Sequence, residues 1–167
     1  YNVQGIMYMN QFSVGNLIGG VGATFTGIKQ SIDQTDVVEK QKDKYFYSLQ
    51  ANANASYRIP KTGTTFSVFY KYNGEREQYV LKTDAATQQQ YLLKGKQQAF
   101  SSMDASIRQS FFQNKISLTL GARNLFDVTT LNNTTSADGP HSAAATSVMY
   151  AYGRSYFLKL TFNLGIN

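Results

Sequence analysis

The chain of 167 residues contains no cysteine and a single histidine, His141. Disulfides and thiolate metal sites are therefore excluded, and zinc or imidazole chemistry would have to rest on one ring. No stretch approaches the roughly 18 consecutive apolar residues of a transmembrane helix, and the first residues lack the charged, then apolar, then small-residue order of a signal peptide. The negative mean hydropathy excludes helical membrane proteins only. A strand that meets hydrocarbon on one face and water on the other carries its apolar residues at every second position, so window averages stay low.

What is present is alternation. From Lys44 to Ile59 one parity reads Tyr45, Tyr47, Leu49, Ala51, Ala53, Ala55, Tyr57, Ile59, and the other Lys44, Phe46, Ser48, Gln50, Asn52, Asn54, Ser56, Arg58. This is a two-faced β-strand with aromatic residues at both ends of its apolar row and small ones between. At about 3.3 Å per residue and a tilt of roughly 40°, Tyr47 to Tyr57 spans about 25 Å, the height of the apolar band of an outer-membrane barrel. A hydrophobic fraction of 42% with 14% aromatics is rich enough for a folded or membrane-embedded structure.

Six further segments keep one parity each. Val3 to Gln11 places Val3, Met7 and Met9 on the apolar side, and Gly15 to Gly27 places Leu17, Val21, Ala23 and Phe25 there. Thr64 to Gly74, Ala99 to Phe111, Lys115 to Asn124 and Arg154 to Leu164 follow the same rule, with Phe66, Val68, Tyr70, Ile107, Leu118, Leu120, Leu158 and Leu160 in their apolar rows. The connections alternate in length. Tight turns are expected near Phe12 to Val14, at Pro60 to Gly63 and at Gln113, Asn114, and long polar loops at about Lys29 to Asp43, Glu75 to Gln98 and Phe126 to Gly153. Outer-membrane barrels have short periplasmic turns and long external loops. The fold class expected is thus an antiparallel transmembrane β-barrel segment of about seven strands. Bacterial single-chain barrels have even strand numbers and a closed sheet leaves no edge in lipid, so a chain of seven strands is expected to be part of a larger barrel.

Two motifs near the end sharpen this reading. Leu118-Thr-Leu-Gly-Ala-Arg-Asn-Leu-Phe-Asp127 resembles the penultimate strand of TonB-dependent outer-membrane receptors, and Gly153-Arg-Ser-Tyr-Phe157 followed by Leu160-Thr-Phe-Asn-Leu164 is similar to their closing strand. Gly139, Pro140, His141 and Ser142 resemble the last external loop of some members. One departure is Leu164, where the family usually has an aromatic residue; Phe162 is the nearest substitute. The resemblance implies that residues 1–167 are the C-terminal third of a 22-stranded barrel, whose remaining strands, N-terminal plug and TonB-contacting segment lie outside this sequence. It also implies energised uptake of a scarce solute of the iron chelate, cobalamin or glycan class. The partners implied are outer-membrane lipid, the plug and remaining strands, TonB through the N-terminal region, and a small-molecule or glycan ligand. Another outer-membrane barrel, an adhesin or an assembly component, uses the same strand physics without a plug. A soluble carbohydrate-binding sandwich is the remaining alternative.

Net charge is +6. Parity puts Arg58, Lys71, Arg108, Arg123 and Lys159 on the polar side, with Asp104 the main acid among them. Such a wall attracts anions, or pairs with carboxylates of a plug or an opposite wall. Tyr79 and Tyr91, near Gln88 to Gln90, are candidates for stacking on a sugar ring, or else belong to strands that continue above the bilayer. His141 is a candidate external-loop contact. Its neighbour Ser142 has no orienting carboxylate in the pattern, so no enzyme, catalytic residue, metal or cofactor is expected. The aromatic residues follow the apolar parity, which favours a membrane girdle over a nucleic-acid stacking platform.

Overall fold

The computed structural model describes residues 2–29, 44–83, 90–135 and 146–164. Every regular element in them is a strand. Seven strands form one antiparallel sheet: β1 (Asn2–Val14), β2 (Leu17–Lys29), β3 (Tyr45–Ile59), β4 (Thr64–Asn73), β7 (Phe100–Phe111), β8 (Ile116–Arg123) and β11 (Ser155–Phe162), in that spatial order. The sheet is open, with β1 and β11 at its edges. The three short turns, β1 to β2, β3 to β4 and β7 to β8, lie at one end because successive strands run up and down.

Directly paired residues share a face, so the register turns parity into surfaces. One face runs Tyr57, Phe66, Ile107, Leu120, Leu158 across β3, β4, β7, β8 and β11, and the row above it Ala55, Val68, Ala105, Ala122, Tyr156. Phe66, Ile107, Leu120, Leu158 and Tyr156 are all exposed. A continuous exposed apolar band of this extent has no place on a protein surrounded by water. The opposite face carries Asn52, Lys71, Ser102 in one row and Ser56, Ser67, Ser106 in another, the latter tied by a hydroxyl bond of 2.8 Å between Ser56 and Ser67.

The register corrects the expectation for the first strand. The turn sits at Gly15 and Asn16, where Gly15 has φ +58°, and not at Phe12 to Val14. Val14 pairs with Leu17, Phe12 with Gly19, Tyr8 with Ala23 and Ile6 with Phe25, so the apolar face receives the even residues. Val3, Met7 and Met9 lie on the polar face, opposite Ile28, Thr24 and Gly22. Both parities of β1 are apolar, so hydropathy alone could not choose, and pairing with β2 did.

Three glycines receive an aromatic ring from the strand opposite: Phe12 over Gly19, Tyr47 over Gly27 and Phe157 over Gly121. A Cβ at any of them would collide with the ring. The missing side chain lets the ring lie flat on the sheet. Tyr47 also stacks on Phe25, centroids 5.2 Å apart and planes 4° from parallel.

The long connections contain structure that was expected to be loop. β5 (Arg76–Thr83), β6 (Gln90–Gln97), β9 (Thr130–Thr135) and β10 (Thr146–Met149) form a second antiparallel sheet in the order β10-β9-β6-β5. It stands at the end opposite the short turns, and Gln98 N–H to Asn132 O at 3.2 Å and Tyr150 N–H to Thr129 O at 2.9 Å tie its ends together.

The two faces of β3 should respond oppositely to charge. Ala53→Arg, in the apolar row between Val21 and Tyr70, is expected to cost about 2 to 4 kcal/mol near the bilayer midplane. Asn54→Arg on the other face should cost little. Urea unfolding of the full protein in lipid vesicles compares them, and equal losses would refute the assignment.

Candidate functional site

The polar face and the end of the sheet beneath the second sheet hold the groups that could meet a solute. All five basic residues singled out from parity lie on the polar face, and the register groups three of them. Arg58, Thr65, Arg108, Thr119 and Lys159 form one cross-strand row, cations alternating with threonines, close to the short turns. None of the three cations has an ion pair among the described residues. Arg123 stands apart: its guanidinium lies 5.1 Å from the centroid of Phe157, the ring that covers Gly121. Lys71 sits higher, opposite Asn52 and Ser102. Asp104 accepts the backbone N–H of Asn124 at 2.9 Å, so it serves the chain's own fold.

At the opposite end a cleft of about 250 Å³ opens between the upper polar face and the second sheet. Ser48, Gln50, Asn73 and Phe100 line it from the main sheet, Arg76 and Gln97 from β5 and β6, and Tyr150 from the residue that follows β10. Phe100 and Tyr150 meet edge to face, centroids 4.5 Å apart. The Asn73 side chain is buried and its Nδ2 has no hydrogen-bond partner among the described residues. A buried amide donor left unpaired is costly, which makes a solute acceptor at that point favourable. The cleft thus offers amide, hydroxyl and guanidinium groups beside an aromatic pair, a combination suited to a polar solute with an anionic or hydroxylated edge.

The Asn124 to Asp127 motif proves to be a knot that supports this end. Asn124 (φ 53°) and Asp127 (φ 59°) both adopt the left-handed conformation that Asn and Asp tolerate best. Asn124 Nδ2 donates to Val128 O at 3.0 Å and Gly153 O at 3.2 Å, and its Oδ1 accepts from Val128 N–H at 3.0 Å. Asp127 Oδ1 accepts from Arg154 N–H at 2.8 Å, while the Arg154 guanidinium donates twice to Leu125 O, at 3.2 and 2.9 Å. The two resemblance motifs, far apart in sequence, are therefore halves of one hydrogen-bonded unit. Phe126 packs edge-on against Tyr70 at 6.3 Å.

In the second sheet Lys94 pairs with Glu77 at 2.8 Å and Lys96 with Glu75 at 2.5 Å. The hydrogen bond from Lys94 holds the Glu77 carboxyl below the usual carboxylate range, with Lys94 charge adding to it and burial opposing. A lowered carboxylate stabilises the fold above its unfolded pKa and loses that contribution as pH falls through the folded one.

Tyr79 and Tyr91 lie on β5 and β6, paired with Lys94 and Lys82, so the strand-continuation alternative describes their backbone; their side chains and His141 lie outside the described residues. Arg76, Asn73, Phe100 and Tyr150 were not singled out from the sequence, since nothing in a linear pattern brings these three separated segments to one cleft. Among the described residues no group of three His, Asp or Glu could hold a metal ion.

A model of the outer membrane protein beta-barrel family matches residues 5–163. No curated protein and no solved structure matches.

Asn124→Ala removes three hydrogen bonds and places an ordinary residue at positive φ, for an expected cost of about 2 to 4 kcal/mol, whereas Asn124→Gly should recover the conformational part. Urea midpoints of the full protein in vesicles check the order.

Proposed function

The chain belongs to the outer membrane protein beta-barrel family, and on that premise we propose that it is the C-terminal wall of a receptor that takes up a scarce solute with TonB-supplied energy. The observation that carries the reading is the vertical arrangement of the polar face: a cleft at the long-loop end, with Arg76 and an Asn73 donor, above a row of cations near the short turns, the donor and the cations alike without a partner among the described residues. A solute captured at the mouth would pass down a wall of rising positive potential. An iron chelate, a cobalamin or a glycan with an acidic group meets that description.

The motifs around Asn124 to Asp127 and Gly153 to Phe157 support the TonB-linked class, because their resemblance covers both closing strands in order. In this reading the cation row faces the lumen, where a plug or the solute supplies the carboxylates. The chain acts by binding and passage rather than by catalysis, and it needs the plug, the remaining strands and TonB for transport.

The test uses the whole gene in its host. Deletion should abolish growth on one limiting nutrient among iron chelates, cobalamin and glycans, and a TonB-null strain should reproduce that loss. Arg76→Ala should weaken binding of the identified solute about tenfold, as expected for removing a charged hydrogen bond. Unchanged growth of the deletion strain on every nutrient, or growth independent of TonB, would favour an adhesin or assembly barrel instead.

A further inference from the structure

On the apolar face a groove of about 610 Å³ runs between β4, β7 and β8. Its floor is the adjacent pair Ala105 and Ala122, and its walls are Phe66, Ile107, Leu120 and Tyr156. The small floor residues sit between large neighbours, so the band is furrowed here rather than flat. As part of the hydrocarbon-facing surface of an outer-membrane barrel, the furrow takes an apolar chain and not a polar solute.

The lining nearest the short turns is Phe66, three residues past Gly63, and Ile107 and Leu120, each five residues from the β7 to β8 turn, with Thr64, Gln109 and Leu118 on the same face between furrow and turns. The β3 to β4 turn carries Lys61 and the β7 to β8 turn carries Lys115, both exposed. These turns are laced to each other: Ser110 N–H donates to Gly63 O at 3.1 Å, Gln109 Nε2 to Thr62 O at 2.5 Å, and Thr64 Oγ1 to Gln109 Oε1 at 2.6 Å. Asn163 fastens the second turn from β11, donating from its backbone to Lys115 O at 2.8 Å and from Nδ2 to Asn114 O at 2.7 Å. Both lysines thus stand on a fixed lip. Together with Arg58, Arg108 and Lys159 they make this end uniformly basic; among the described residues it carries no carboxylate, the acids being Glu75, Glu77, Asp104 and Asp127.

We propose that this lip and furrow form a binding site for one anionic phospholipid of the periplasmic leaflet, its phosphate beside Lys61 and Lys115 and one acyl chain along Ala105 and Ala122. The placement rests on family membership and on short turns being periplasmic; it is independent of which solute the receptor carries. Lysines at a membrane surface each favour anionic lipid by about fivefold, so the two together select the headgroup while the furrow selects a chain over the mobile annulus. The site needs both parts of the lipid.

The full protein is assembled into vesicles of phosphatidylcholine with a minority of phosphatidylglycerol, extracted in mild detergent, and its bound lipid counted by native mass spectrometry. One retained phosphatidylglycerol is expected. Lys61→Gln with Lys115→Gln should lower its enrichment over phosphatidylcholine by about 25-fold, and Ala122→Phe should expel the lipid while leaving both lysines in place. Heat-dependent gel mobility confirms that each variant is folded. Soluble glycerol phosphate should not compete, since it lacks the chain. Retention of lipid in bulk proportion by the unaltered protein would mean annular lipid only and overturn the site. Undiminished phosphatidylglycerol on the double lysine variant, or competition by glycerol phosphate, would do so as well.

Discussion

Hydrocarbon offers no partner to a peptide N–H or C=O, and that single constraint organises the chain. Every backbone polar group at membrane depth has to be satisfied by a neighbouring strand. Within the seven-stranded sheet continuous antiparallel ladders meet the demand, and only the outer edges of β1 and β11 call for further strands. The same constraint forces the side chains apart, apolar toward lipid and polar toward water, and frees the strands beyond the bilayer from any such rule. The second sheet, where lysine and glutamate pair on exposed strands, shows what the chain does once water is available on both sides.

That contrast explains how much of the molecule the sequence disclosed. β3 was legible because Tyr47 to Tyr57 and Ser48 to Arg58 separate the two solvents residue by residue. β4, β8 and β11 were legible for the same reason, and their registers agree with it. β1 was misread because Ile6, Tyr8 and Phe12 are as apolar as Val3, Met7 and Met9, and only the partner strand distinguishes them. The strands from Arg76 to Gln97 and from Thr130 to Met149 carry no two-solvent signal, so they read as loop.

The candidate site was legible in part. Parity placed Arg58, Lys71, Arg108, Arg123 and Lys159 on one face, but pairing was needed to reveal that three share a row while Arg123 is engaged with Phe157. The mouth cleft was beyond sequence reading, since Gln50, Asn73, Arg76, Phe100 and Tyr150 meet only after two sheets are assembled. The Asn124 to Asp127 motif was recognisable as a resemblance, and its physical content is local: left-handed Asn and Asp residues whose side chains close a rim.

The aromatic rings resting on glycines have a consequence for assembly. A slip of two residues between neighbouring strands keeps every polar side chain wet and every apolar one dry, so solvent preference is blind to it. Sterics are not. Sliding β11 by two against β8 would move Phe157 from Gly121 onto Thr119 or Arg123, and the same error would press Tyr47 onto Phe25 or Lys29 and Phe12 onto Leu17 or Val21. Each ring and its vacancy work as a key and keyhole: hydropathy chooses which way a strand faces, and three missing side chains decide where along its neighbour it stops.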